Sequence, residues 1–151
     1  MTEFPAIDDF SDGALRALGY LPLRVSVFDH VLSETEAGDS PLMFYRLARD
    51  AGALDAYLAG EARFLAFYTD LALDGAAAIA DGSAVDLPPA ALRDTLLASL
   101  REERLMDVWF PAPGIRALGG WDRTDLLLAT SVVAVASATM AARRQGLFLL
   151  S

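Results

Sequence analysis

Between residues 55 and 72 the chain carries the pattern that most restricts its fold. Tyr57, Leu58, Phe64, Leu65, Tyr68, Leu71 and Ala72 recur there at helical spacing, and so broad an apolar stripe must be buried against other elements. The segment opens at Asp55 and is expected to form the centre of the core. The pattern lets the helix run on to Ala80, although Gly60 and Gly75 each cost a helix about 1 kcal/mol relative to Ala and make a break near Asp74 reasonable.

The length of the whole chain, 151 residues, is consistent with one domain over residues 1–151. Hydrophobic residues make up 54% of it, much of that Ala, which favours helix while burying little surface per residue. A short helix is expected from Ser11 or Asp12 to Gly19. Over residues 23–32, Leu23, Val25, Val27, Phe28, Val31 and Leu32 fall at spacings of three and four, the signature of a helix, while the β-branched Val25 and Val27 keep a strand open. Residues 33–40 read as a polar loop. Ser40 and Pro41 then start a helix that Gly52 ends, residues 81–89 read as a surface connection, and residues 90–105 form an amphipathic helix with Leu92, Leu96, Leu97 and Leu100 on one side.

After residue 107 helical rules lapse. Val108, Trp109 and Phe110, and then residues 115–118, look extended about a turn that holds Pro111, Pro113 and Gly114. Residues 126–130 read as a third strand, 132–144 as a helix and 147–150 as a last strand; one continuous helix over 124–144 is the alternative. The fold expected from all this is a mainly α, single-domain helical bundle, with a small β element after residue 107 as its α+β variant.

Charge narrows the function classes. All twelve basic residues are Arg, the net charge is −9, and residues 1–100 hold sixteen acids against six Arg, while residues 101–151 hold five against six. An acidic field of this kind repels a phosphate backbone, so nucleic acid is not an expected partner, whereas a basic protein surface is. There is no Cys, which removes thiolate catalysis, disulfides and thiolate metal sites. With one His, metal binding would need converging carboxylates, and Asp8, Asp9 and Asp12 lack the spacing of a calcium loop. No metal and no cofactor are expected. The acidic start of the chain does not read as a leader, and residues 126–142, though uncharged, contain Thr130, Ser131, Ser137 and Thr139 and much Ala, so they read as core and not as a membrane span. A cytoplasmic protein, without membrane attachment and compatible with homo-oligomers, is the resulting expectation.

Two segments stand out as binding candidates. Asp29, Glu34, Glu36 and Asp39 place four acids within eleven residues that contain no Lys or Arg, a suitable dock for a basic partner. Residues 109–125 hold both tryptophans and the run Trp121, Asp122, Arg123, Thr124, Asp125, and Trp and Arg are enriched where proteins bind one another. Trp109, Trp121, Asp122, Arg123 and Asp125 are therefore taken with the four acids as the partner-binding set. His30 has Ser26 and Ser33 within helical reach but no third group to orient it. No catalytic set emerges, and no phosphate-binding glycine loop is present. The expected function is a non-enzymatic protein-binding module, an acidic inhibitor or immunity-type protein being one form. The alternative is a ligand- or cation-binding protein or a hydrolase with Asp107, Asp122 or Asp125 in a pocket near residues 109–125.

Overall fold

The computed structural model describes residues 3–150, so Met1 and Thr2 of the N-terminal segment and the final Ser151 lie outside the described residues. In chain order the elements are α1 (Asp12–Ala17), β1 (Leu21–Ser26), α2 (Glu34–Asp39), α3 (Tyr45–Asp50), α4 (Leu54–Leu71), β2 (Ala76–Ala80), β3 (Ser83–Leu87), α5 (Pro89–Leu100), β4 (Asp107–Phe110), β5 (Ile115–Leu118), β6 (Thr124–Ala129), α6 (Val132–Arg144) and β7 (Phe148–Leu150). The seven strands form one sheet in the order β3-β2-β4-β5-β6-β1-β7, and every neighbouring pair is antiparallel.

The helical bundle inferred from the sequence is thus overturned, and with it the description of the chain as helical. Strand accounts for 22% of residues beside 41% helix, and the sheet is no small addition after residue 107, since β1, β2 and β3 precede it. Each of these three was misread for a physical reason. In β1 the side chains of Leu21, Leu23 and Val25 alternate onto one face, and the spacing of three and four across residues 23–32 arises because the strand gives way to an irregular loop after Ser26. Strand β2 is Ala-Ala-Ala-Ile-Ala, a composition that favours helix locally but is held extended by pairing with β3 and β4. Asp81 and Gly82, both at positive φ (51° and 78°), form the two-residue turn that joins β2 to β3, a pair well suited to such hairpins. The supposed loop at 33–40 contains α2, whose Ser33 and Glu36 form a reciprocal capping box.

Alternation sorts the strand residues onto two faces. Val25, Val108, Phe110, Ile115, Ala117, Leu127 and Ala129 point to the layer of α4, α5 and α6 and share a core with Phe64, Phe67, Leu71, Leu92 and Leu96. Helix α6 brings a stripe of buried Ala134, Ala138, Ala141 and Ala142, small enough to let its backbone lie close to the core. It is capped by Ser131, whose hydroxyl accepts from the Ala134 amide. No helix among the described residues is long and apolar enough to cross a membrane; residues 126–142 divide between β6 and α6.

The opposite, outer face of the sheet is covered only in its middle. Leu15 and Tyr20 pack there against Leu128, and Phe4 lies against Trp109 with ring centroids 5.3 Å apart. Arg116, 3% exposed, fastens this cover: its guanidinium donates twice to Asp107 (2.8 and 2.7 Å) and once to the Pro5 carbonyl at 2.9 Å. A buried ion pair with its hydrogen bonds filled is tolerated, whereas removing one partner leaves an unpaired charge.

On the helix side, a buried polar contact joins α4 to the sheet. The Tyr68 hydroxyl donates to Asp125 Oδ2 at 2.6 Å, and the Gly120 amide donates to Asp125 Oδ1 at 3.0 Å. Burial raises the Asp125 carboxyl from the usual 3.8 to about 6, the two hydrogen bonds opposing it. Burial, followed by the charge of Asp125, keeps the Tyr68 phenol protonated well above its usual range. Because the folded-state value for Asp125 lies above the unfolded one, its contribution to stability is complete below pH 3.8 and is lost as pH rises through about 6, a change of about 3 kcal/mol. Asp125→Asn mimics the protonated form. Its melting temperature relative to wild type should therefore be more favourable at pH 8 than at pH 4 in paired thermal melts; an offset independent of pH would contradict the assignment. Tyr68→Phe should cost about 2 kcal/mol at pH 8 in urea titrations, by leaving a buried carboxylate oxygen without its donor.

Candidate functional site

The cover over the outer face stops short of the β6-β1-β7 end of the sheet. There a cleft of about 350 Å³ opens, with Arg24, Leu126 and Leu150 among its lining residues. By strand alternation these three belong to the outer face and form the floor. Phe10 stands on one side, Val31 and Leu32 on a second, and Trp121 and Asp122 on a third. Phe10, Val31 and Trp121 are 54%, 70% and 60% exposed. Single exposed apolar residues are ordinary, but three around one concavity mark a surface suited to contact.

The Trp121 wall is built by an expensive turn. The Thr124 amide donates to the Trp121 carbonyl at 3.2 Å, and the two residues between, Asp122 and Arg123, both have positive φ (59° and 54°). Neither is Gly, so each costs roughly 1 kcal/mol or more in the left-handed region. Contacts to Glu102 and Tyr57 hold the turn. The Asp122 amide donates to Glu102 Oε1 at 3.1 Å, and the Arg123 guanidinium lies 4.3 Å over the Tyr57 ring while donating to the Tyr57 carbonyl at 3.0 Å. Burial lowers the Arg123 pKa. Gly120 is required just before the turn, because a Cβ there would run into the Thr124 carbonyl. Gly60 of α4 makes room for Arg123 in the same way, since a Cβ at Gly60 would lie 2.6 Å from its Nη2.

Glu102 is itself at positive φ (58°). Its Oε2 is the buried side-chain oxygen without a hydrogen-bond partner among the described residues. Burial raises this carboxyl from 4.5 to about 6, with the Asp122 amide opposing. Three left-handed, non-glycine residues thus meet where α5 ends and the β5-β6 connection turns, a concentration of strain that the surrounding packing has to hold.

The acidic segment forms the neighbouring wall. Asp29 lies in the loop after β1, and Glu34, Glu36 and Asp39 lie on α2; all four are exposed. His30 sits between two of them, with Nδ1 2.7 Å from Asp29 Oδ1 and Nε2 2.6 Å from Glu36 Oε2. The hydrogen bond with Asp29, and then that with Glu36, raises the imidazole pKa above its usual 6.5. The helix expected over residues 23–32 would have turned Asp29 away from the imidazole; the loop brings it alongside. Glu34 and Asp39 make no ion pair among the described residues.

The two segments singled out in the sequence therefore meet. Val31 and Leu32, between Asp29 and Glu34, face the same cleft as Trp121 and Asp122. Trp109 does not join them: it is buried under Phe4 on β4. Arg123 and Asp125 are buried, 7% and 3% exposed, with side chains committed to Tyr57 and Tyr68; they support the cleft from within. Phe10, Arg24 and Leu150 were not foreseen, since they come from three distant parts of the chain. Of the three carboxylates considered for a hydrolase, Asp122 and Asp125 both belong to residues that line the cleft, while Asp107 does not. Asp107 is bound to Arg116 on the outer face, Asp122 is exposed in the turn, and Asp125 points into the helix layer. No group of three or more potential metal ligands is found among the described residues.

As the single histidine, His30 gives an unobscured NMR titration. Its midpoint should lie above 6.5, and Glu36→Gln should move it down; a wild-type midpoint at or below 6.5 would contradict the Asp29-His30-Glu36 arrangement. Gly60→Ala would gain about 1 kcal/mol in an open helix, yet here it should lower the melting temperature by displacing Arg123. No protein-family model, no curated protein and no solved structure matches this chain.

Proposed function

We propose that the chain is a non-enzymatic protein-binding module whose outer-face cleft takes an apolar side chain of a basic partner, with the acids of the adjoining loop and α2 meeting the partner's cations. One observation carries this reading: exposed Phe10, Val31 and Trp121 surround a single cleft beside exposed Asp29, Glu34, Glu36 and Asp39. Binding surfaces commonly combine an aromatic anchor with a charged rim, the anchor supplying affinity and the rim supplying encounter rate and partner choice. The net charge of −9 adds a long-range attraction for cationic surfaces that salt weakens. An inhibitor or immunity-type protein that neutralises a basic enzyme is the form of activity that fits this chemistry. With Asp107 paired to Arg116 and the Asp125 carboxylate engaged by Tyr68 and Gly120, a hydrolase has no comparable support.

Trp121 is also the reporter. Because Trp109 is buried and Trp121 exposed, emission from Trp121 should shift to the blue when the cleft is filled. We would titrate the protein with an Arg-rich peptide bearing one central Phe or Leu, and with an Asp-rich peptide of the same apolar residue. The basic peptide should bind and the acidic one should not. Trp121→Ala, followed by calorimetry, should weaken the basic peptide about tenfold or more. Charge reversal at Asp29, Glu34, Glu36 and Asp39 should weaken it and flatten its salt dependence. Equal binding of both peptides, or unchanged affinity in both variants, would overturn the proposal.

A further inference from the structure

A second cavity lies on the other side of the sheet, away from the outer-face cleft, and its chemistry is the reverse. It is a crevice of about 290 Å³ between α4, α5 and the β2-β3 hairpin. Helix α4 presents Leu65 and Thr69 to it, with Ala72 at its C-terminal cap three residues on, and α5 presents Pro89, Arg93 and Leu96 at spacings of four and three. Its origin can be read from the strand beneath. The helix-facing residues of β2 are Ala76, Ala78 and Ala80, which share a face with Val108 of β4 across the Ala78-Val108 pair. Side chains that small do not fill the space under two helices packed on larger residues, so Leu65, Ala72 and Leu87 remain only partly buried at the margin of the core.

Two features indicate what would fill the space. The lining is predominantly apolar and includes no acid, although the chain carries 21 acids. Its single charged group is Arg93; like Arg16, Arg46, Arg63, Arg104 and Arg143 it has no ion pair or hydrogen bond among the described residues, and of these six it is the one that lines the crevice. An unpaired guanidinium at the margin of an apolar crevice complements a carboxylate joined to an apolar body.

We infer that the α4-α5 crevice is a binding site for a small amphipathic monocarboxylate, a short acyl chain or an aromatic acid, whose apolar body lies against Leu65, Ala72, Leu87 and Leu96 and whose carboxylate is held by Arg93. The site is separate from the outer-face cleft and does not depend on what that cleft binds.

The experiment uses octanoate, 1-octanol and octylammonium as probes of the intact protein, followed by calorimetry and thermal shift at pH 7.5. Octanoate should bind and raise the melting temperature, octanol should bind more weakly, and octylammonium should bind least. Across hexanoate, octanoate and decanoate the dissociation constant should fall about fourfold per added methylene until the crevice is full, the equivalent of about 0.8 kcal/mol each. Arg93→Gln should weaken octanoate about tenfold and leave octanol unchanged. Ala72→Leu should fill the crevice and abolish both. Thr69→Trp, at an exposed position on the rim, blocks entry by a change that leaves the core untouched, so loss of binding there cannot be assigned to misfolding. Absence of octanoate binding at millimolar concentration, octylammonium or octanol binding as tightly as octanoate, or undiminished binding to Thr69→Trp would each overturn the assignment.

Discussion

Burial of α4 against the centre of the sheet is the constraint on which everything else rests. Phe64, Phe67, Tyr68 and Leu71 lie almost wholly inside, and truncating any one aromatic in such a core costs about 3–5 kcal/mol. The contact with Asp125 makes this packing directional. An apolar stripe alone would tolerate a rotation or slide of the helix, whereas a hydroxyl 2.6 Å from a buried carboxylate fixes Tyr68 over one residue of β6. The same carboxylate accepts from the Gly120 amide, so α4, β6 and the β5-β6 connection are placed relative to one another by a single side chain.

From that junction the outer-face cleft follows. The β5-β6 connection exposes Trp121 because Asp122 and Arg123 take left-handed conformations, and they hold them because Arg123 is drawn down onto Tyr57 of α4 and the Asp122 amide is anchored by Glu102. Strain at the surface is thus balanced by contacts in the interior. The floor of the cleft is open because residues 3–20 cover the outer face only as far as Phe4, Leu15 and Tyr20 reach.

Charges are divided by the same layering. The buried cations are committed: Arg116 binds Asp107 and the Pro5 carbonyl, and Arg123 binds the Tyr57 carbonyl. Asp29, Glu34, Glu36 and Asp39 remain at the surface, with His30 lying between Asp29 and Glu36. The excess of acid is therefore expressed outward, beside the cleft, while the α4-α5 crevice is lined without any acid. Two cavities of opposite character coexist in a chain whose net charge alone would suggest only one kind of partner.

Local patterns in the amino-acid order determined the stripe of α4, the amphipathic α5, the turn at Pro111–Gly114, the acidity of residues 29–39 and the distinct character of residues 109–125, because each depends on side chains near one another along the chain. The sheet was not legible in the same way. An Ala-rich segment such as β2 is a strand only because β3 and β4 supply its hydrogen bonds, and the pairing of β1 with β6 joins Leu21 to Ala129, residues more than a hundred positions apart. The candidate site divides along the same line. Its acids and Trp121 could be named from sequence, but its floor of Arg24, Leu126 and Leu150, the removal of Trp109 to the interior and the diversion of Arg123 and Asp125 to structural work were decided by tertiary packing. Spacing along the chain says which side chains can share a face of one element; which faces then meet depends on burial and pairing between elements remote in sequence.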